Sequence, residues 1–264
     1  MVPPSDAAPL SAARYTASNP VTSGRAKVPQ PGRKPLAMRK YHITSLLADG
    51  QVRSSDQIGP AMPIFEAAFS AFAHGTLIAT TRGQVAVEDL VPGMKLATAD
   101  QGAMQLLWIG AMTLMPRSND IPGGGGSLTR IMADSFGFGR PQADLMAGPG
   151  ARLLMRSPGG GTQGNDKVLT PATRMVDGMN AIEIVPPRPV TVYHLCLRRH
   201  AIISAGGMEA ESFHPGAGFE RNMGPNMLSL FLSFFAHVKQ ARDFGALAHA
   251  RLPLGDAAPA TDIV

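Results

Sequence analysis

The sequence predicts an all-β fold built from many short strands, and three observations carry that prediction. Short apolar or alternating runs recur through residues 77–213 with turn signals about every ten residues, the spacing of a compact β-protein. Gly (29) and Pro (23) together make up about a fifth of the 264 residues, which favours turns over long helices. Two stretches alone carry apolar residues at helical spacing: Phe65, Phe69 and Phe72, and then Leu228, Phe231, Leu232 and Phe235.

The elements follow in order. Residues 1–37 are rich in Pro, Ala and Ser with scattered basic residues. They hold too little apolar surface to offset the entropy of ordering, and read as a disordered basic arm. Residues 39–58 read as two strands around an Asp49-Gly50 turn. One or two helical turns around Phe65 lead into a strand at 76–80, a turn at 81–83 and the weakly alternating run 84–90. A Pro-Gly turn at 92–93 opens another strand, and 103–115 reads as a longer one. Residues 116–127, with four consecutive glycines, and 158–165 read as flexible loops; the first is not followed by the Gly-Lys-Ser/Thr of a phosphate-binding loop. Within 167–216, "VTVYHLCL" and "HAIISAGG" read as a paired unit of strands. Residues 226–242 read as a C-terminal helix that packs on the body, and the chain then runs into Pro and Ala. The organisation expected is an arm at 1–37, a β-domain at 38–222, and a helix with tail at 223–264.

Charge narrows the partners. The net charge of +5 lies wholly in residues 1–60, which hold 8 Lys or Arg against 3 Asp or Glu; the remainder has 16 of each sign. A nucleic-acid surface on the folded domain is therefore not expected, whereas a protein partner is possible and unspecified. Cys196 is the single cysteine, so neither an intramolecular disulfide nor a multi-thiolate metal site can form. No apolar run reaches the roughly 20 residues of a membrane-spanning helix. Without a secretory N-terminal core, the expectation is a cytoplasmic chain by default, with non-classical export left open.

Several segments together resemble one family. Phe72, Gly75, Thr76, Ile78, Thr80 and Gly83, then Val87, Glu88, Asp89, Leu90 and Gly93, match the opening of the Hint module of hedgehog and intein proteins. "WIG" at 108–110, "RPQADLMAGPGARLL" at 140–154, "MVDG" at 175–178 and "VYHLCLRRHAIISAGGMEAESFHPG" at 192–216 follow in the family's order. The resemblance is to the bacterial Hint-domain proteins, covers roughly 68–216, and implies a flattened, horseshoe-like β-fold with pseudo-two-fold symmetry.

The resemblance also implies a chemistry. The module's first residue is a Cys whose thiol attacks the preceding carbonyl, and a later His protonates the departing amide nitrogen. Here the nucleophile position is Ala71, and the Ser and His positions of the later block are Gly148 and Ala151. Thr76, Arg152, His194 and His200 stand as remnants of the family's site. Two readings stay open. One is a degenerate module that binds or supports; the other is a self-cleaving protein with another nucleophile, or a deliberately disabled precursor. Ser70 is a poor substitute, because its target carbonyl is displaced by a full residue step of about 3.8 Å. A third idea is a small-molecule site reusing the cleft.

Other groupings read as structural. His194, Cys196 and His200 are too few and out of register for a metal site, and no metal or cofactor is expected. His74 and His214 read as exposed turn residues. Glu88 and Asp89 point to opposite sides of a strand end and are poor acid–base partners.

Overall fold

The computed structural model describes residues 36–116, 126–157 and 167–253. The expected arm up to residue 35, most of the two glycine-rich loops and the last residues, 254–264, lie outside the described residues.

The chain opens with β1 (Met38–Leu46) and β2 (Val52–Pro60), an antiparallel pair joined across Asp49-Gly50. Gly50 sits at φ +84°, a conformation that disfavours a side chain, and the Leu47 N–H closes the loop on the Gln51 carbonyl at 2.8 Å. Alternation turns Tyr41, Ile43 and Ser45 inward, while His42 and Lys40 face out and pair with Asp56. The short helix α1 (Pro63–Ala67) starts on a proline whose missing N–H is not needed in a first turn. Phe65 lies on its buried side and Phe69 is buried in the turn that follows, while Phe72 opens β3 (Phe72–Ala73).

Twelve strands follow: β4 (Leu77–Thr80), β5 (Gly83–Ala86), β6 (Lys95–Thr98), β7 (Gly102–Leu114), β8 (Leu128–Ile131), β9 (Leu145–Ala147), β10 (Arg152–Arg156), β11 (Lys167–Pro171), β12 (Ala181–Ile184), β13 (Val190–Leu197), β14 (Ile202–Ala205) and β15 (Met208–Glu211). The strands form one antiparallel path in the order β11-β10-β15-β14-β4-β6-β7-β13-β3-β9-β8-β12, with β1 beside β7 and β5 beside β4. β7 is the hinge of this path. Its first residues pair with β6, its later ones with β13, and residues 108–111 also with β1. Gly110 is needed there: a Cβ on it would stand 2.1 Å from the Trp108 ring and 2.5 Å from that of Phe69.

Two expectations need correction. "VTVYHLCL" and "HAIISAGG" do not pair with each other. Both edges of β13 are taken, by β7 and β3, and the bend at Arg198–Arg199 delivers β14 to β15, β4 and β6 instead. The C-terminal helix is also shorter than 226–242. α2 (Pro225–Leu232) ends at Leu232, and Phe234 and Phe235 both face inward from the turn that follows it. The turn tightens through i→i−3 bonds from Phe234 to Phe231 and Phe235 to Leu232, and the Trp108 indole N–H donates to the Phe234 carbonyl at 2.7 Å.

Among the described residues two large apolar cores result, beside a small cluster of Leu154, Leu169 and Ile202. One lies within the β-strands and holds Ala71, Phe72, Ile78, Leu96, Leu153 and Leu195. The other is aromatic. Tyr41, Phe65 and Phe69 from the N-terminal side meet Phe231, Phe234, Phe235 and Phe244 from the C-terminal side, over Trp108. Residues 69–71 pass from the second core into the first. Among the described residues, no helix is long and apolar enough to cross a membrane.

Candidate functional site

The site implied by the sequence centres on the Ser70–Ala71 peptide, and main-chain hydrogen bonds hold it from several sides. The Gly150 N–H donates to the Ser70 carbonyl at 2.9 Å, the Gly148 N–H to the Ala71 carbonyl at 2.8 Å, and the Ala71 N–H to the Tyr193 carbonyl at 2.8 Å. Both donors belong to the Gly148–Gly150 turn, which follows β9 and precedes β10. Proximity explains the glycines. A Cβ on Gly148 would lie 2.1 Å from the Ser70 carbonyl oxygen, and one on Gly150 would lie 2.6 Å from the Ala67 oxygen and 2.9 Å from Ser70 Oγ.

This geometry can polarise the Ser70 carbonyl, because an amide donor already sits on its oxygen. It offers no nucleophile at position 71: Ala71 is fully buried and ends at a methyl group. Ala151 is buried too, in the same core, and its main chain is spent on Gly148 and Ala172.

His194 comes close to the same peptide. Its Nδ1–H donates to the Ala67 carbonyl at 2.7 Å, and its ring packs edge-on to Phe72. Burial pushes its imidazole down to about 4, so it is neutral at pH 7 and Nε2 carries no proton. Nε2 has no hydrogen-bond partner among the described residues, and neither has the buried Ser70 Oγ. Both are polar atoms that a dry interior would penalise.

The other expected residues lie elsewhere. Thr76 donates from Oγ1 to the Ala73 carbonyl at 2.7 Å and closes the turn that Gly75 makes. Glu88 accepts the Gly75 N–H at 2.8 Å and faces the exposed His74 at 3.2 Å, so it braces this turn, while Asp89 is exposed. Arg152 and His200 join a second buried cluster around Glu211. His200 Nε2–H donates to Glu211 Oε1 at 2.7 Å, and Arg152 Nε stands 3.7 Å from Oε2. His200 Nδ1 accepts the Ala248 N–H at 2.8 Å, which fixes its tautomer.

His214, expected as an exposed turn residue, is buried. Its Nε2–H donates to the Gly245 carbonyl and its Nδ1 accepts the Gly216 N–H, and burial lowers its pKa to about 4. Cys196 lies 3.4 Å from His237 Nε2 and far in character from a ligand set: burial drives its thiol up to about 12. Among the described residues no three His, Cys, Asp or Glu side chains are grouped to hold a metal ion.

Sequence reasoning passed over Gly150, Glu211, His237 and Arg251. Glu211 lay inside the matching run 192–216, beside Ser212, without being singled out. Arg251 carried no signal.

The comparisons with known proteins bear on this arrangement. Two solved structures that resemble the chain are a bacterial intein-like domain from Clostridium thermocellum (14% identity, TM-score 0.35, covering 55% of this chain and 99% of that one) and the MchDnaB-1 intein in its N145AA form (14% identity, TM-score 0.32, covering 55% and 100%). No curated protein matches. The Hint domain family matches residues 70–217, more than half of the chain and beginning at the Ser70–Ala71 peptide itself, so the chain belongs to the Hint domain family.

Proposed function

We propose that this Hint domain does not carry out the family's acyl shift and serves instead as a binding or structural module. One observation carries the reading. The Ser70 carbonyl keeps an amide donor at 2.9 Å, yet the next residue presents only a methyl group, and the imidazole position is Ala151. Where a nucleophile and its base act as a unit, losing either typically costs about a million-fold. Electrostatic polarisation alone leaves the peptide intact on any biological timescale.

A second reading has a specific observation behind it. Ser70 Oγ is buried and unpartnered, so a hydroxyl stands next to the Phe69–Ser70 peptide. An N-to-O shift there would move the Phe69 acyl group from the Ser70 nitrogen to Oγ, and water would then release the chain between residues 69 and 70.

Intact mass separates the two. The purified chain, incubated with and without added thiol, is expected to stay a single species of full mass. Fragments meeting at 69/70 would establish the Ser70 route, and a break at 70/71 would overturn both readings. Restoring Ala71→Cys with Ala151→His is expected to bring cleavage at 70/71, because the carbonyl donor is already in place.

A further inference from the structure

The buried cluster around Glu211 is not used by the chemistry above, and every group in it reaches toward the C-terminal segment. The segment runs along β11, whose only partner strand among the described residues is β10. On the other edge of β11, Leu169 lies beside Arg251 in a parallel bridge. Its N–H donates to the Ala250 carbonyl at 2.8 Å, and the Leu252 N–H donates back to its carbonyl at 3.0 Å. The His214 ring holds the Gly245 carbonyl at 3.1 Å, His200 holds the Ala248 N–H at 2.8 Å, and Arg152 Nη1 donates to the Leu252 carbonyl at 2.9 Å. All of these are contacts to main chain.

One side chain of the segment is read individually. Arg251 donates from Nε to Glu211 Oε1 at 2.8 Å and from Nη2 to the His214 carbonyl at 2.6 Å. Glu211 is 2% exposed, so its charge depends on the cations around it. Gly216 leaves the guanidinium room: a Cβ there would come within 3.3 Å of Nη1. The two donors of Arg251 diverge to a carboxylate and a carbonyl, a fork that a lysine cannot reproduce.

We propose that the free edge of β11, with Arg152, His200, Glu211 and His214, is a peptide-binding site selective for arginine, filled in this chain by its own residues 245–252. Strand addition supplies the affinity and the Glu211 pocket supplies the selectivity. The ligand class is an extended segment carrying a single arginine, as in Ala248-His249-Ala250-Arg251-Leu252. Arg152 and His200 therefore hold a strap rather than a substrate, and the site works whether or not the chain cleaves itself.

The test uses the full chain and a fluorescent peptide of the sequence of residues 244–253. The Arg251→Ala chain, whose own strap has lost its anchor, is expected to bind the peptide in fluorescence anisotropy roughly tenfold or more tighter than the unaltered chain does, because its site is open for more of the time. A peptide with alanine or lysine in place of the arginine is expected to bind roughly tenfold or more weakly, the loss of charge-assisted hydrogen bonds. Failure of the folded Arg251→Ala chain to bind, or equal binding of the alanine peptide, overturns the proposal. Should that variant not fold, trypsin decides on the unaltered chain. Cleavage after Arg251 is expected to be roughly tenfold or more slower than after Arg82 in its exposed turn, and equal rates overturn the proposal.

Discussion

Gly148 lies so close beneath Ser70 that a Cβ built on it would stand 2.1 Å from the Ser70 carbonyl oxygen and 2.8 Å from its carbonyl carbon. The peptide at the head of the Hint domain has therefore settled into space that a side chain at 148 would need. Gly148 itself is not in a left-handed conformation, so the constraint is one of room and not of backbone strain. Gly148→Ser is expected to destabilise the chain by about 1–3 kcal/mol, the usual cost of overpacking. Urea unfolding followed by the emission of Trp108, the single and fully buried tryptophan, measures it. An unchanged midpoint would mean that the peptide moves aside freely. The same substitution added to the Ala71→Cys and Ala151→His pair is expected to lower stability again.

The aromatic core ties the two flanks of the family-matching region together. Phe234 sits 5.5 Å from Phe65, 5.7 Å from Tyr41 and 5.9 Å from Phe69, ring centre to ring centre, and its carbonyl takes the Trp108 indole N–H. Phe234→Ala is expected to cost about 3–5 kcal/mol. It is also expected to speed hydrogen exchange in both flanks at once, at 36–69 and at 223–244, since both lose the same anchor. Exchange that rises in the C-terminal flank alone would show that the N-terminal elements are held by the β1–β7 ladder and not by the aromatic core.

Acid is expected to unfold the protein through its buried histidines. His194, His214 and His237 are each pushed down to about 4 by burial, from an ordinary 6.5. The unfolded chain therefore binds more protons between these values. Stability is full above about pH 6.5 and is lost as the pH falls toward 4, each histidine adding up to about 1.4 kcal/mol per pH unit. The carboxylate of Glu211, held below its ordinary range by His200 and Arg251 despite its burial, adds its own loss at lower pH. Urea midpoints between pH 8 and pH 4 test this. Replacing His194 by Gln is expected to flatten the upper part of the curve, and a curve left unchanged would show that His194 stays solvated.

Much of this was legible in the sequence, but unevenly. Strands announced themselves where an apolar run ended in Gly or Pro, and the order of the motifs around Phe72, Gly75, Thr76 and "WIG" gave the family. Pairing was less legible, because neighbours along the chain are the natural guess for neighbours in a sheet. Nothing local says that β13 is already flanked by β7 and β3. His214 was misread for a related reason: its place before Pro215 looks like a turn, and only the arrival of Gly245 and Phe244 buries it. Positions 71 and 151 could be read as alanines where the family's motif carries Cys and His. The role of Arg251 could not, since a single basic residue in a Pro- and Ala-rich tail has no periodicity or spacing to mark it.

Cys196 gives the most direct view of how tightly the C-terminal segment closes on the domain. Its thiol is buried on β13 beneath Phe213 and His237, with Sγ 3.8 Å from the Phe213 carbonyl, and its pKa is driven up to about 12 by loss of solvent. Reactivity needs both access and thiolate, and the folded chain denies both. At pH 8, a thiol reagent such as 5,5′-dithiobis(2-nitrobenzoate) is expected to titrate no thiol in the native protein and one per chain in denaturant. His237 Nε2 stands 3.4 Å from the sulfur, so the rate of labelling in native conditions reports how often the segment around His237 lifts. Phe235→Ala, which removes a ring stacked on Phe213, is expected to raise that rate without exposing the thiol at equilibrium. Full reactivity in the unaltered native chain would show that the segment does not cover β13 in solution.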